Sequence, residues 1–428
     1  MKIISLLGLF FLPVVCFSAE LYSLTLDEAI SRGIEQSQSL KKNALDLEIA
    51  ALRANNLWSQ VFPGISVGGG LNYGDTLFSD GSTENPLRLS ASVNLSLQLN
   101  TGIPAAMRNI KLAYTTQLLT YETAERQLEL QITKTFFNLM AEQENLALLE
   151  EGRRLADAQY SKNEVGFRNG FIGELALLRS QLSAESAKLV LTRAASVHAA
   201  NMGQFLTLLG IDQGAPVELA GTMDIREADL DADYLIREYL QKRPDIVNQR
   251  QRIQSLEDSS RQTSLSSRAP TLNLSAGWSA NWTSNFADTL SGGVSLSIPV
   301  DSWIPGSKTY QTVKAAVAEV EKARLDLEDL ENTGMHEIRS LTANIRNSWG
   351  SMQTAALQVR IAERTYELTE EGFRQGTIEF LDLETTRKEM IDAKQQLLIE
   401  ELSYKNFILD LAAALNMDWI ELLQAGEG

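Results

Sequence analysis

Residues 87–100 read LRLSASVNLSLQLN. Leu87, Leu89, Ala91, Val93, Leu95, Leu97 and Leu99 are apolar, and the residues between them (Arg88, Ser90, Ser92, Asn94, Ser96, Gln98, Asn100) are polar. Successive side chains of a strand point to opposite faces, so this run describes a β-strand with one apolar and one polar face. Strands of soluble proteins average about 5–6 residues, whereas a tilted strand crossing a bilayer needs roughly 9–11. The run suits the second case, with one face toward lipid and one toward a wet lumen.

Three further runs share the pattern. Ile65, Val67, Leu71 and Tyr73 alternate with Ser66, Gly68, Gly70 and Asn72 in 65–74. Leu272, Leu274, Ala276, Trp278, Ala280 and Trp282 alternate with small polar residues in 271–282, and Val294, Leu296 and Ile298 do so in 292–300. The connections, 74–86 and 283–290, carry Asp75, Asp80, Glu84 and Asp288, as suits external loops. Tyr73, Trp278, Trp282 and Phe286 lie near strand ends, where aromatic rings anchor a protein at a membrane interface or pack between strands.

Four strands cannot close a spanning barrel, since the smallest have about eight. An open edge in lipid leaves N–H and C=O groups unpaired. Several chains must then share one barrel: two give eight strands and three give twelve. The competing reading is the half-buried sheet of a soluble coiled-coil rod, a structural or adaptor protein, with Cys16 as a possible lipid anchor.

Helical patterns surround the strands. An apolar track spaced by three and four runs from Ile110 through Leu118, Leu128, Phe136 and Leu149 to Tyr160. A second runs from Tyr310 through Val320, Leu330, Ile345 and Val359 to Phe373. Pro104 and Pro305 stand near the starts and Gly166 and Gly372 near the ends, as helix punctuation requires. Such helices are roughly 90–100 Å long at ~1.5 Å per residue, rods that span a gap.

The chain repeats itself. Tyr160, Gly166, Phe167, Arg168, Gly170, Ile172 and Leu175 match Tyr366, Gly372, Phe373, Arg374, Gly376, Ile378 and Leu381, each 206 positions later. We therefore expect a signal peptide over 1–19, a first structural repeat over 20–217 and a second over 218–428. Each repeat holds a helix, a strand pair, a very long helix, a tight turn and a returning helix. The leader has Lys2, an apolar 3–15 segment and small residues at Ser18 and Ala19. No later run approaches the 18 apolar residues of a spanning helix.

Composition narrows the function. Lys plus Arg number 38 and Asp plus Glu 55, a net charge of −17, which argues against non-specific nucleic-acid binding. One Cys and two His argue against a disulfide scaffold, a zinc site or a Cys–His catalytic pair. His198 and His336 sit on helical tracks without ligand partners at coordinating spacing. No nucleophile elbow or phosphate loop is visible, so no catalytic, cofactor or metal residue is assigned and no enzyme is expected.

Long alternating strand pairs beside coiled helices, in a duplicated exported chain, resemble the TolC family of outer-membrane efflux proteins. Residues 24–30 (LTLDEAI) are similar to the family's L-x-L-x-E-A-I segment. Residues 243–245 (RPD) and 270–277 (PTLNLSAG) are similar to its second-half opening, and 372–383 (GFRQGTIEFLDL) to its turn signature. The resemblance implies a mainly α fold with a membrane β part. Three protomers would share a 12-stranded β-barrel continuous with a long α-helical barrel, the homotrimer sitting in the outer membrane of a diderm bacterium and reaching into the periplasm. It implies a passive exit duct for efflux or type I secretion. Outer-membrane lipid, a periplasmic adaptor (membrane fusion) protein and an inner-membrane pump would be its partners.

The same resemblance singles out the helical turns. Asp382 occupies the Asp of L-D-x-L and would repeat as an acidic ring in a trimer, favouring cations. Its first-half counterpart is Ala176, so Glu379 and Glu174 are substitute gate carboxylates. Gly166, Gly170, Gly372 and Gly376 would shape the two turns against which adaptors dock. Arg168 and Arg374 would tie neighbouring turns or bind the adaptor, or else suit helix C-termini as cations.

Overall fold

The computed structural model describes residues 22–73, 87–222, 225–282 and 286–425. The expected leader with Cys16 and the 74–86 connection lie outside the described residues, as does the Phe286 side chain.

In chain order the elements begin with β1 (Tyr22–Leu24), α1 (Leu26–Gln36), α2 (Gln38–Asn55) and a 3₁₀ turn (Leu57–Val61). The strands β2 (Gly64–Tyr73) and β3 (Leu87–Leu99) follow, then the 66-residue α3 (Ile103–Arg168), α4 (Glu174–Leu208) and β4 (Val217–Leu219). The second half holds α5 (Ala232–Tyr239), α6 (Pro244–Ser266), β5 (Thr271–Trp282), β6 (Phe286–Ser297), the 67-residue α7 (Lys308–Arg374), α8 (Phe380–Leu415) and α9 (Trp419–Ala425).

Local chemistry sets the boundaries. Thr25 caps α1 in a reciprocal box: its Oγ1 accepts from the Glu28 N–H at 3.4 Å, and its own N–H donates to Glu28 Oε2 at 3.3 Å. That accounts for the Thr and Glu of LTLDEAI. Pro244 opens α6 at a position that needs no N–H donor. Arg243 before it is nearly buried; it donates to both Asp245 oxygens (3.1 and 2.9 Å) and to Glu337 Oε2 (2.8 Å), clasping α6 to α7.

Two compact units form, and each takes segments from both sequence halves. The first comprises residues up to 37, 128–227 and 345–409. In it β1 pairs parallel with β4. Phe136 meets Phe137 and Phe205 edge-on beside the buried Ile132 and Leu206. The ring of buried Tyr404 lies 5.3 Å from that of Trp349, tilted by 49°, and its hydroxyl donates to the Arg226 carbonyl at 2.7 Å. Gly33 lets α1 approach α3, since a Cβ there would lie 2.2 Å from Ile132 Cδ1.

The second unit comprises 38–127, 228–344 and 410–428. It holds a four-stranded antiparallel sheet in the order β2-β3-β5-β6. Beside it, Arg108 donates to Asp258 at 3.1 Å, Gln249 to the Ala323 carbonyl at 2.8 Å and Arg324 to Glu257 at 2.7 Å.

Strands β3 and β5 have the expected bounds, 87–99 and 271–282, and β2 runs 64–73 against the expected 65–74, whose residue 74 lies outside the described residues. β6 differs: it runs 286–297 rather than 292–300. Phe286 pairs directly with Trp282, so the connection shrinks to 283–285. Asp288, expected in a loop, stands in the strand opposite Ala280. The ladder ends at Ser297, before Pro299, which has no N–H to donate.

Candidate functional site

The sheet presents one apolar and one small polar face. Row by row, Val67 faces Val93, Val93 faces Trp278 and Trp278 faces Leu290. The neighbouring row runs Ile65–Leu95–Ala276–Gly292, and the next Leu97–Leu274–Val294. The face between them carries Ser66, Asn94, Gly277 and Ser291, with Ser92, Ser275 and Ser279. The apolar face is largely uncovered in the single chain: Val67 is 78% exposed, Leu290 83% and Val294 73%. A contiguous exposed apolar surface of this kind marks a partner surface or lipid.

β2 and β6 form the two edges, and neither outer edge is paired among the described residues. Tyr73 and Trp282 stand at one end of the sheet, and Trp278 lies four residues inward from Trp282. The sequence reading missed the aromatics at the other end. Trp58 and Phe62, in and after the 3₁₀ turn before β2, meet edge-on at 5.0 Å and are more than half exposed, as is Trp303 beyond β6. Their signal was an aromatic just outside the first and the last of the four alternating runs.

The helical turns lie in the first unit, and both close the same way. At the end of α3 the Phe171 N–H donates to the Gly166 carbonyl at 2.8 Å and the Gly170 N–H to the Phe167 carbonyl at 2.9 Å. At the end of α7 the Thr377 N–H donates to Gly372 at 2.9 Å and the Gly376 N–H to Phe373 at 3.0 Å. This is the Schellman arrangement, which needs a left-handed residue after the helix. The two turns present different surfaces: Phe171 is 84% exposed, and its counterpart is Thr377.

Arg168 bonds Glu164 at 2.6 Å, and Arg374 pairs with Glu371, each within its own helix. The side-chain amide of Gln375 and the Arg374 charge hold the Glu371 carboxyl below its usual range. Glu379, Asp382 and Glu174 are exposed, Glu174 and Asp382 in the first turns of α4 and α8. Within one chain these carboxylates do not converge on a cation.

Behind the turns sits a network that the sequence reading did not contain. Arg387 of α8 donates to Ser183 Oγ of α4 (2.9 Å), the Gly152 carbonyl of α3 (3.1 Å) and Glu384 (3.0 Å). Ser183 in turn donates to Glu384. Lys394 of α8 reaches Glu363 of α7 at 3.1 Å and Glu151 of α3 at 3.7 Å. Burial raises the Tyr366 hydroxyl pKa, and Glu370 pushes it the same way. His198 contacts Glu142 at 3.1 Å, and Asn201 donates to the same carboxylate at 2.6 Å. A groove of about 740 Å³ beside them is lined by amides such as Asn145, Gln204 and Gln395, without a nucleophile–base pair. No metal-holding cluster occurs among the described residues, and no described helix is long and apolar enough to cross a membrane.

Comparison with known proteins agrees with this architecture. The family model described as outer membrane efflux protein matches residues 29–210 and 235–417. The fold is similar to the Campylobacter jejuni CmeC outer membrane channel, with a TM-score of 0.77 at 18% identity, covering 94% of this chain and 89% of that one. It is similar to the open-state Neisseria gonorrhoeae MtrE outer membrane channel at 0.70 and 16%, covering 92% and 89%. The Vibrio cholerae outer membrane protein VceC gives 0.69 and 16%, covering 92% and 96%. No curated protein sequence matches the chain. Two family matches, one on each sequence half, fit the duplicated strands and rods: the chain belongs to the outer membrane efflux protein family, a family of efflux proteins and not of enzymes.

Proposed function

We propose that the chain is one protomer of a trimeric exit duct in the outer membrane of a diderm bacterium. The carrying observation is a four-stranded sheet with two edges unpaired among the described residues and an exposed apolar face. Such a sheet satisfies its backbone in lipid only by sharing a closed barrel with other copies. Three copies give twelve strands, lipid against the Val67–Leu290 rows and water against the serine and glycine face.

The helical turns would face the periplasm and form the opening end. Asp382, with Glu379 and Glu174, would ring the constriction. Gly166, Arg168, Gly170, Gly372, Arg374 and Gly376 would shape the surface that a periplasmic adaptor contacts. An inner-membrane pump would supply the energy, as the family resemblance implies. Tyr73, Trp278 and Trp282 would anchor the outer rim, with Trp58, Phe62 and Trp303 at the inner one. The protein reconstituted in planar bilayers tests this: discrete conductance steps are expected. A protein that leaves the membrane in carbonate without detergent, and conducts nothing, contradicts it.

A further inference from the structure

The two open edges also restrict how copies can join, an inference that rests on the shared-barrel reading above. We propose that β6 of one copy pairs antiparallel with β2 of the next, with Val294 opposite either Val67 or Gly69. Three conditions lead there.

The first is polarity. Every neighbouring pair in β2-β3-β5-β6 is antiparallel, so β2 and β6 run in opposite directions. A joined edge continues that alternation and needs no crossover.

The second is the side-chain period. The apolar face takes the odd residues of β2 (Ile65, Val67, Gly69, Leu71, Tyr73) and the even residues of β6 from Leu290 onward (Leu290, Gly292, Val294, Leu296), with the charged Asp288 on the same face toward the Tyr73 end. Facing residues must share a face, so an even residue of β6 can meet only an odd residue of β2. A slip by one residue would turn the apolar side chains of the next copy into the lumen.

The third is closure. The row that begins at Val67 reaches β6 at Leu290. If Leu290 meets Leu71 of the next copy, the row climbs by four residues per copy; if it meets Tyr73, by six. Around three copies that is about 12 or about 18 residues of ~3.4 Å against twelve strand spacings of ~4.8 Å. The resulting tilts are roughly 35° and 47°, at the two ends of the usual range of about 35–45°. A climb of two gives roughly 20° and a climb of eight roughly 55°. A descent of four leaves only 64–67 of β2 paired.

Both surviving registers use the edge well. With Val294 opposite Val67, all ten residues of β2 pair, and Leu296 meets Ile65 while Leu290 meets Leu71. With Val294 opposite Gly69, only Gly64 and Ile65 of β2 are left over. The edges carry Gly68, Gly69 and Gly70 on one side and Gly292 and Gly293 on the other, so little side chain obstructs the joining backbones.

A cysteine walk on the full chain in outer membranes tests the proposal. Val294→Cys is combined in turn with Ile65→Cys, Val67→Cys, Gly69→Cys and Leu71→Cys, oxidised, and run on non-reducing gels. Single-cysteine variants control for Cys16. Cross-linked species of two and three chain masses are expected with Val67→Cys or Gly69→Cys, several-fold stronger than with the outer two, and lost on reduction. A maximum at Ile65→Cys or Leu71→Cys overturns the register. No cross-link in particles that contain three chains overturns edge pairing while leaving the trimer. A monomeric unmutated chain removes the shared barrel itself. Should the Val294→Cys variants fail to assemble, Leu290→Cys against Leu71→Cys and Tyr73→Cys distinguishes the same registers.

Discussion

Gly170 and Gly376, 206 residues apart, adopt the same left-handed backbone conformation, each with φ of +76°. Nothing lies within 4 Å of a Cβ built on either, so only the backbone conformation demands glycine there. An L-residue in this conformation costs about 1–2 kcal/mol. Gly170→Ala and Gly376→Ala should each lower stability by about that much in denaturant melts, with Asn milder than Ala.

The glycines one turn earlier act differently. A Cβ on Gly166 would lie 2.8 Å from Ile172 Cδ1, and one on Gly372 would lie 2.5 Å from Ile378 Cδ1. Gly372→Ala should cost roughly 1–3 kcal/mol through overpacking, and Ile378→Ala in the same chain should recover much of it. If the double variant is no more stable than Gly372→Ala, the contact is not the cause.

Arg387 and Glu384 side chains are only 12% and 15% exposed. Removing one partner of a nearly buried pair leaves a charge without compensation, at a cost of about 3 kcal/mol. Arg387→Ala should therefore destabilise strongly, while Arg387→Met with Glu384→Leu should return toward the parent melting temperature. Equal losses in both variants would show that hydrogen bonding to Ser183 and Gly152, and not the charge pair, holds the helices.

Burial lifts the Glu401 carboxyl above its ordinary value of 4.5, and neighbouring Glu144 pushes in the same direction. A carboxyl whose folded pKa is raised keeps its proton more readily when folded, so its ionisation costs stability. That cost is absent below the unfolded pKa and grows as pH rises through the folded one. Glu401→Gln should raise the melting temperature near neutral pH and change it little at about pH 4. A gain of equal size at both pH values would remove ionisation as the cause.

Asp382 stands exposed in the first turn of α8. If three copies ring the constriction, Asp382→Asn should weaken cation preference in single-channel recordings. An unchanged reversal potential in a salt gradient would take Asp382 out of the pore.

The strands were legible because alternation is written residue by residue: 271–282 and 87–99 needed no tertiary information. The long helices were legible for the same reason, from their 3–4 spacing between prolines and glycines. β6 was misread at both ends. Asp288 looks like loop chemistry until its cross-strand partner Ala280 is known, and Pro299 does not reveal from spacing alone that the ladder stops at Ser297. The Arg387 network was not legible, because its partners Gly152 and Ser183 lie 235 and 204 residues away and one of them is a main-chain carbonyl. The repeat was visible, but the compact units were not, since each assembles segments of both halves.

The most direct test is the number of chains per particle after extraction of the outer membrane in mild detergent, read as native mass. Three chains per particle is the predicted result. A monomer that stays in solution without detergent would contradict the shared barrel, and with it the duct.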